Sequence, residues 1–141
     1  MFNNSIKLFI ILLILISCNV FIAQNNEDLP LTETNWELFS FNYIFQGPIQ
    51  AKSGEYTILF SDTGTVQSKV DCNLCFGDYT LGNRKTISIH LEGCTKVGCG
   101  KDSKDSDFHD AVKNTTKYSI EGNDLRLYFD NNFLHFINRL F

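Results

Sequence analysis

Val70-Asp71-Cys72-Asn73-Leu74-Cys75-Phe76-Gly77-Asp78-Tyr79-Thr80 stands mid-chain, and Gly93-Cys94-Thr95-Lys96-Val97-Gly98-Cys99-Gly100 follows about twenty residues later. The first stretch runs on through Leu81 with glycine and β-formers and no helix start. Gly82-Asn83 then turns the chain into Thr86-Ile87-Ser88-Ile89-His90-Leu91. Side chains alternate along a strand, so Ile87, Ile89 and Leu91 share a face, which reads as core. Upstream, Thr65-Val66-Gln67-Ser68-Lys69-Val70 puts Val66 and Val70 in register. It is reached through Ser61-Asp62-Thr63-Gly64, a hairpin turn with glycine where a positive φ is expected. Before that turn, Glu55-Tyr56-Thr57-Ile58-Leu59-Phe60 aligns Tyr56, Ile58 and Phe60.

The same pattern extends to both ends of the domain. A first strand is expected over Asn35-Trp36-Glu37-Leu38-Phe39-Ser40-Phe41, followed by a loop around Gly47-Pro48. Later strands are expected at Tyr118-Ser119-Ile120, Leu125-Arg126-Leu127-Tyr128-Phe129 and Phe133-Leu134-His135-Phe136-Ile137. Phe108, Ala111 and Val112 fall at i, i+3 and i+4, which predicts one short helix over residues 106–114, with Ser103 or Ser106 as its cap. Strands without βαβ alternation predict a mainly β fold (α+β only through that helix). The expected architecture is a small antiparallel barrel or sandwich of seven or eight strands. At 141 residues the chain holds a single such domain, expected over 34–141 behind a polar linker at 24–33.

Residues 1–23 read as an address. One positive charge, Lys7, precedes an unbroken apolar run over 8–16, too short for a permanent membrane span of roughly 20 residues but suited to a secretory signal. Two processing sites compete. Leu15-Ile16-Ser17-Cys18 matches a lipobox, with Cys18 as the lipidated first residue, and Phe21-Ile22-Ala23 matches a general cut after Ala23. Either outcome predicts an exported protein, as an outer-envelope lipoprotein or a periplasmic or secreted chain. Both leave four cysteines in the mature domain.

Those thiols have three possible roles. Zinc wants four tetrahedral ligands, which C-x-x-C and C-x4-C superficially supply. However, an exported chain meets an oxidising compartment where thiols pair with each other. A redox-active Cys72 and Cys75 would sit at a helix N-terminus. Here β-formers follow instead, and Asp71 and Asp78 would raise a nearby thiol pKa. Two structural disulfides among Cys72, Cys75, Cys94 and Cys99 fit best. If the two segments run antiparallel, nested pairing is natural, Cys72 with Cys99 and Cys75 with Cys94. Local pairing, Cys72 with Cys75 and Cys94 with Cys99, and the third connectivity stay open. A nested bond closing 20 to 30 residues is expected to contribute about 3 to 4 kcal/mol through the unfolded state.

Taken together, Thr34-Asn35-Trp36-Glu37-Leu38, Gly64, Cys72-Asn73, Gly77-Asp78-Tyr79, Thr95-Lys96-Val97-Gly98-Cys99, Phe108, Tyr118-Ser119-Ile120 and Leu125-Arg126-Leu127 resemble the META-domain family over residues 31–141. Ser68 stands where that family often has Gly, and Val97 where it often has Met. Cys75 and Cys94 resemble an extra pair found in a subset. The resemblance implies a compact β-rich fold and an exported or lipid-anchored location, with no enzymatic activity and no catalytic residues to carry over.

Nothing in the residues opposes that. The charge is −4, or −5 once Lys7 is removed, an acidic balance that argues against nucleic acid and against electrostatic binding to anionic lipid. Membrane association is therefore expected only through a lipid on Cys18. Asp107-Phe108-His109-Asp110 puts carboxylates beside an imidazole, but immediate neighbours on a helix do not face each other. Asp102 and Asp105 read as solvent-facing. No phosphate loop, nucleophile elbow or metalloprotease motif is present. The expectation is a monomeric, cofactor-free and metal-free binding protein acting on an unknown envelope component. The alternative is a thiol-disulfide oxidoreductase using Cys72 and Cys75. An apolar ligand inside a barrel would require a cavity that residues alone do not reveal.

Overall fold

The structure, a computed structural model, describes residues 27–139. The leader at 1–23, Cys18 included, lies outside them. Nine strands form one antiparallel sheet: β1 (Asn35–Tyr43), β2 (Gly47–Gln50), β3 (Tyr56–Phe60), β4 (Thr65–Val70), β5 (Asn73–Leu81), β6 (Ile87–Cys94), β7 (Lys117–Glu121), β8 (Asp124–Phe129) and β9 (Asn132–Ile137). The path runs β6-β5-β4-β3-β1-β9-β8-β7, with β2 hung on β1. The mainly β, antiparallel expectation holds. The ninth strand is the segment read as a loop around Gly47-Pro48. There Phe41 faces Ile49 and Tyr43 faces Gly47, and Pro48 is tolerated because β2 lies at an edge.

The sheet curls into a half-barrel. Its two end strands approach each other where Thr86 bridges Lys117 and the Ile87 N–H donates to the Thr116 carbonyl at 3.1 Å. Inside the curl lies α1 (Asp105–Lys113), within a residue of the expected helix. Lys104 rather than a serine takes its N-cap position, and the Ser103 hydroxyl instead accepts from the Asp105 N–H at 3.2 Å. The predicted stripe of Phe108, Ala111 and Val112 is the buried face. Phe108 meets Tyr56 at 5.3 Å, Phe136 at 6.2 Å and Phe41 at 6.5 Å between ring centroids, distances within the favourable aromatic range.

One bulge decides which face of β1 is core. Leu38 pairs with Phe136 and Ser40 with His135, so Phe39 is the extra residue. Trp36, Leu38 and Phe41 are thereby all buried, while Phe39 turns outward. Residues 27–33, the described part of the linker expected over 24–33, also depart from expectation. Leu31 is buried and its carbonyl accepts from the Trp36 indole at 3.0 Å. The Glu33 N–H donates to the Phe60 carbonyl, and Asp28 accepts from the Gly122 N–H. A polar stretch with one well-placed leucine is enough to dock, because its backbone groups find partners on β3 and on the β7–β8 turn.

The hairpins around the cysteines are tight. Gly64 has φ +87° in the turn read from sequence. The β4–β5 turn is only Asp71-Cys72, since Val70 pairs with Asn73. Gly77 is required by contact: a Cβ there would lie 1.9 Å from the His90 carbonyl oxygen. That close approach of β5 to β6 coincides with a second bulge, where Phe76 pairs with Gly93 but Gly77 pairs with Leu91.

Candidate functional site

Cys72 leaves the β4–β5 turn and bonds Cys99, with their Cα atoms 5.6 Å apart. Cys75 on β5 and Cys94 on β6 are direct register partners and are bonded, their Cα atoms 4.0 Å apart. The pairing is the nested one. It follows from antiparallel β5 and β6: once Cys75 faces Cys94, the chain on either side leads Cys72 and Cys99 away from the same end of the ladder. Cys72 and Cys75 belong to different bridges, and with all four sulphurs bonded in pairs none is a thiolate ligand of the kind a zinc site requires.

Between the bridges lies Asn73, which sequence reading placed within the family resemblance but gave no structural role. Its amide is buried and works in both directions. Oδ1 accepts from the Val97 N–H at 2.8 Å and the Thr95 hydroxyl at 3.1 Å, while Nδ2 donates to the Val97 carbonyl at 3.2 Å. The Thr95 hydroxyl also accepts from the Leu74 N–H. Beyond β6 the backbone ladder to β5 continues only through the Thr95 N–H and the Leu74 carbonyl at 2.9 Å, so this one amide holds the chain that follows. The only sequence signal was an asparagine directly after a turn cysteine. Replacing Asn73 with Ala is expected to leave buried groups unsatisfied. The cost is about 1–3 kcal/mol, with faster hydrogen exchange at the Val97 amide and little change at Ile58 or Leu127. Unchanged exchange at Val97 would show that the bridges alone hold the loop.

The clamped loop forms one wall of a surface groove of about 610 Å³, and the outer turns of α1 form the other. Val70, Leu91 and the Cys75–Cys94 bridge supply its apolar part, and Glu92, Lys96 and His109 its polar part. The helix is fastened where the Lys104 N–H donates to the Tyr56 hydroxyl at 2.9 Å, and burial pushes the Tyr56 phenol above its ordinary value. The inner face of the sheet is filled by Phe108, Ala111 and Val112, so this groove is on the surface rather than within the curl.

The remaining candidates fall apart in space. Asp107 is exposed and pairs with Lys104 at 3.3 Å, and Asp110 is also exposed on α1. Asp102 is exposed, while Asp105 is half-buried as the first residue of α1. His135 on β9 pairs with Asp124 on β8 and meets the Phe39 ring edge-on. His90 lies exposed on β6. Among the described residues no helix is long and apolar enough to cross a membrane.

Similar folds occur among solved structures. A protein from Burkholderia xenovorans superposes with TM-score 0.66 at 21% identity, over 79% of this chain and 85% of that one. A DUF4847 family protein from Bacteroides vulgatus superposes with TM-score 0.60 at 13% identity, over 76% and 93%. At such identities the likeness is one of fold. No curated protein matches the sequence. The model of the META domain matches residues 29–139, from Leu29 within the docked lead-in to the end of the described chain, and the protein belongs to that family.

Proposed function

We propose that this chain is an exported, non-enzymatic protein of the cell envelope that supports envelope integrity or stress tolerance by binding another envelope component through the stapled groove. The observation that carries the reading is the concentration of covalent and polar fastening, two bridges and the Asn73 amide, on one loop beside that groove. Locking a loop in advance lowers the ordering cost of binding, which is where a rigid recognition surface gains affinity. Disulfides of this density also suit an oxidising compartment. The oxidoreductase alternative loses its basis, since Cys72 and Cys75 are not partners and β5, rather than a helix N-terminus, follows them.

Two measurements test this. Mass spectrometry of protein from cells is expected to find the mature N-terminus at a diacylated Cys18 or at Gln24, and no free thiol among Cys72, Cys75, Cys94 and Cys99. An intact leader with four alkylatable thiols would overturn the exported reading. For binding, crosslinking from a photoreactive residue at position 96 in intact envelope should give one discrete adduct that Asn73→Ala diminishes. A ladder identical to that from a probe at position 113, on α1 but outside the groove lining, would count against the groove.

A further inference from the structure

We propose that Asp78, His90 and Glu92 form a surface site for a borderline first-row divalent cation, with Zn²⁺ the ion to test. The three come from two strands. Asp78 on β5 is the direct register partner of His90 on β6, and Glu92 is the extra residue of the bulge opposite Phe76 and Gly77. One ligand atom from each lies within 4.8 Å of the other two.

The backbone holds this arrangement. Gly77 lets β5 approach so closely that any Cβ would strike the His90 carbonyl, beside the Asp78–His90 register pair and at the β6 bulge where Glu92 sits. Bulges re-aim side chains in this way. The electrostatics agree. Among the described residues neither Asp78 nor Glu92 pairs with a lysine or arginine within 4.0 Å, and the partner of Glu92 is His90 itself. Two carboxylates therefore share a face with no lysine or arginine paired to either within 4.0 Å.

His90 Nδ1 lies 3.9 Å from Glu92 Oε1, beyond hydrogen-bond distance. Two ligands on a tetrahedral zinc with bonds of about 2.0–2.1 Å stand about 3.4 Å apart. Exposed side chains on fixed strands close that difference by small rotations. The donor set then selects the ion. Imidazole suits zinc, copper and nickel, whereas calcium and magnesium want oxygen ligands throughout. Three protein ligands leave a coordination position open to water or to a donor from a partner.

Titrating ZnCl₂ calorimetrically into the disulfide-bonded protein is expected to show one saturable site. His90→Ala and Glu92→Gln should each weaken it by about tenfold or more, while His135→Ala, on β9, leaves it unchanged. All three side chains of the site are exposed, so these variants keep the fold. Paramagnetic Co²⁺ should broaden the His90 ring protons ahead of those of His109 and His135. The proposal is overturned by absence of saturable binding, by a His90→Ala variant that binds like the parent, by Ca²⁺ binding as tightly as Zn²⁺, or by Co²⁺ broadening another histidine first.

Discussion

Replacing Phe108 with Ala is expected to lower the free energy of unfolding by about 3–5 kcal/mol, read from the midpoint of a urea transition. A domain of this size has about 5–15 kcal/mol in all, so the variant sits near the edge of folding. The size of the effect follows from position. Phe108 is the largest side chain on α1, wholly buried, with the rings of Phe41, Tyr56 and Phe136 around it. Those rings belong to three different strands, β1, β3 and β9, which cannot all move inward to fill the void. A nine-residue helix has little stability of its own in water. Once its anchor is gone, α1 should fray from the sheet, and the amides of Ala111 and Val112 should exchange faster than those of β8 or β9. Phe108→Leu keeps much of the volume and should cost clearly less. A loss below about 1 kcal/mol for Phe108→Ala would mean that the half-barrel closes over its interior without the helix.

That helix also shows what could be read from residues alone. Three apolar positions at helical spacing, in a chain otherwise alternating, located α1 to within a residue and named its buried face. Alternation likewise found eight of nine strands, because Val66, Val70, Ile87 and Ile89 each report which side of the sheet is inside. Reading failed wherever the period slipped. Phe39 and Phe41 look equivalent in β1, and only the bulge at Phe39, set by pairing with β9, buries one and exposes the other. β2 escaped because Gly47 and Pro48 are turn residues in isolation, and only an edge position next to β1 makes them strand. Leu31 escaped because one leucine in a polar segment carries no periodicity.

The groove was half legible for a similar reason. Cysteine count and compartment pointed to two bridges. The choice among three connectivities needed the direction and register of β5 against β6, which are tertiary facts. Asn73 needed more still, since its role exists only because the chain beyond Thr95 leaves the ladder, and Val97 turns to the Asn73 amide instead. The cation site is the extreme case. Asp78 is twelve residues from His90 in sequence, and a bulge that no local pattern announces aligns Glu92 with both.

Removing both bridges, with Cys72 and Cys99 changed to Ser and Cys75 and Cys94 to Ala, is expected to cost about 5–6 kcal/mol; either bridge alone should cost about 2–3 kcal/mol. The separations are 27 and 19 residues, which taken singly correspond to about 3.5 and 3.2 kcal/mol of unfolded-state constraint. Nesting makes the two interdependent. With the inner bridge closed, the outer one confines only the three residues of chain from Cys72 to Cys75 and the five from Cys94 to Cys99, so its further effect on the unfolded chain is smaller than its sequence separation suggests. The single losses should therefore sum to less than the double loss, in a double-mutant comparison that needs no structural probe. Cys75 is buried whereas Cys72 is exposed, which is why Ala rather than Ser belongs at the inner pair. Strictly additive losses would place the stabilisation in native-state contacts around each sulphur instead of in the tethered unfolded chain. A four-cysteine variant as stable as the parent would leave the fastening of the 95–99 loop to Asn73 alone and remove the reason for reading the bridges as staples.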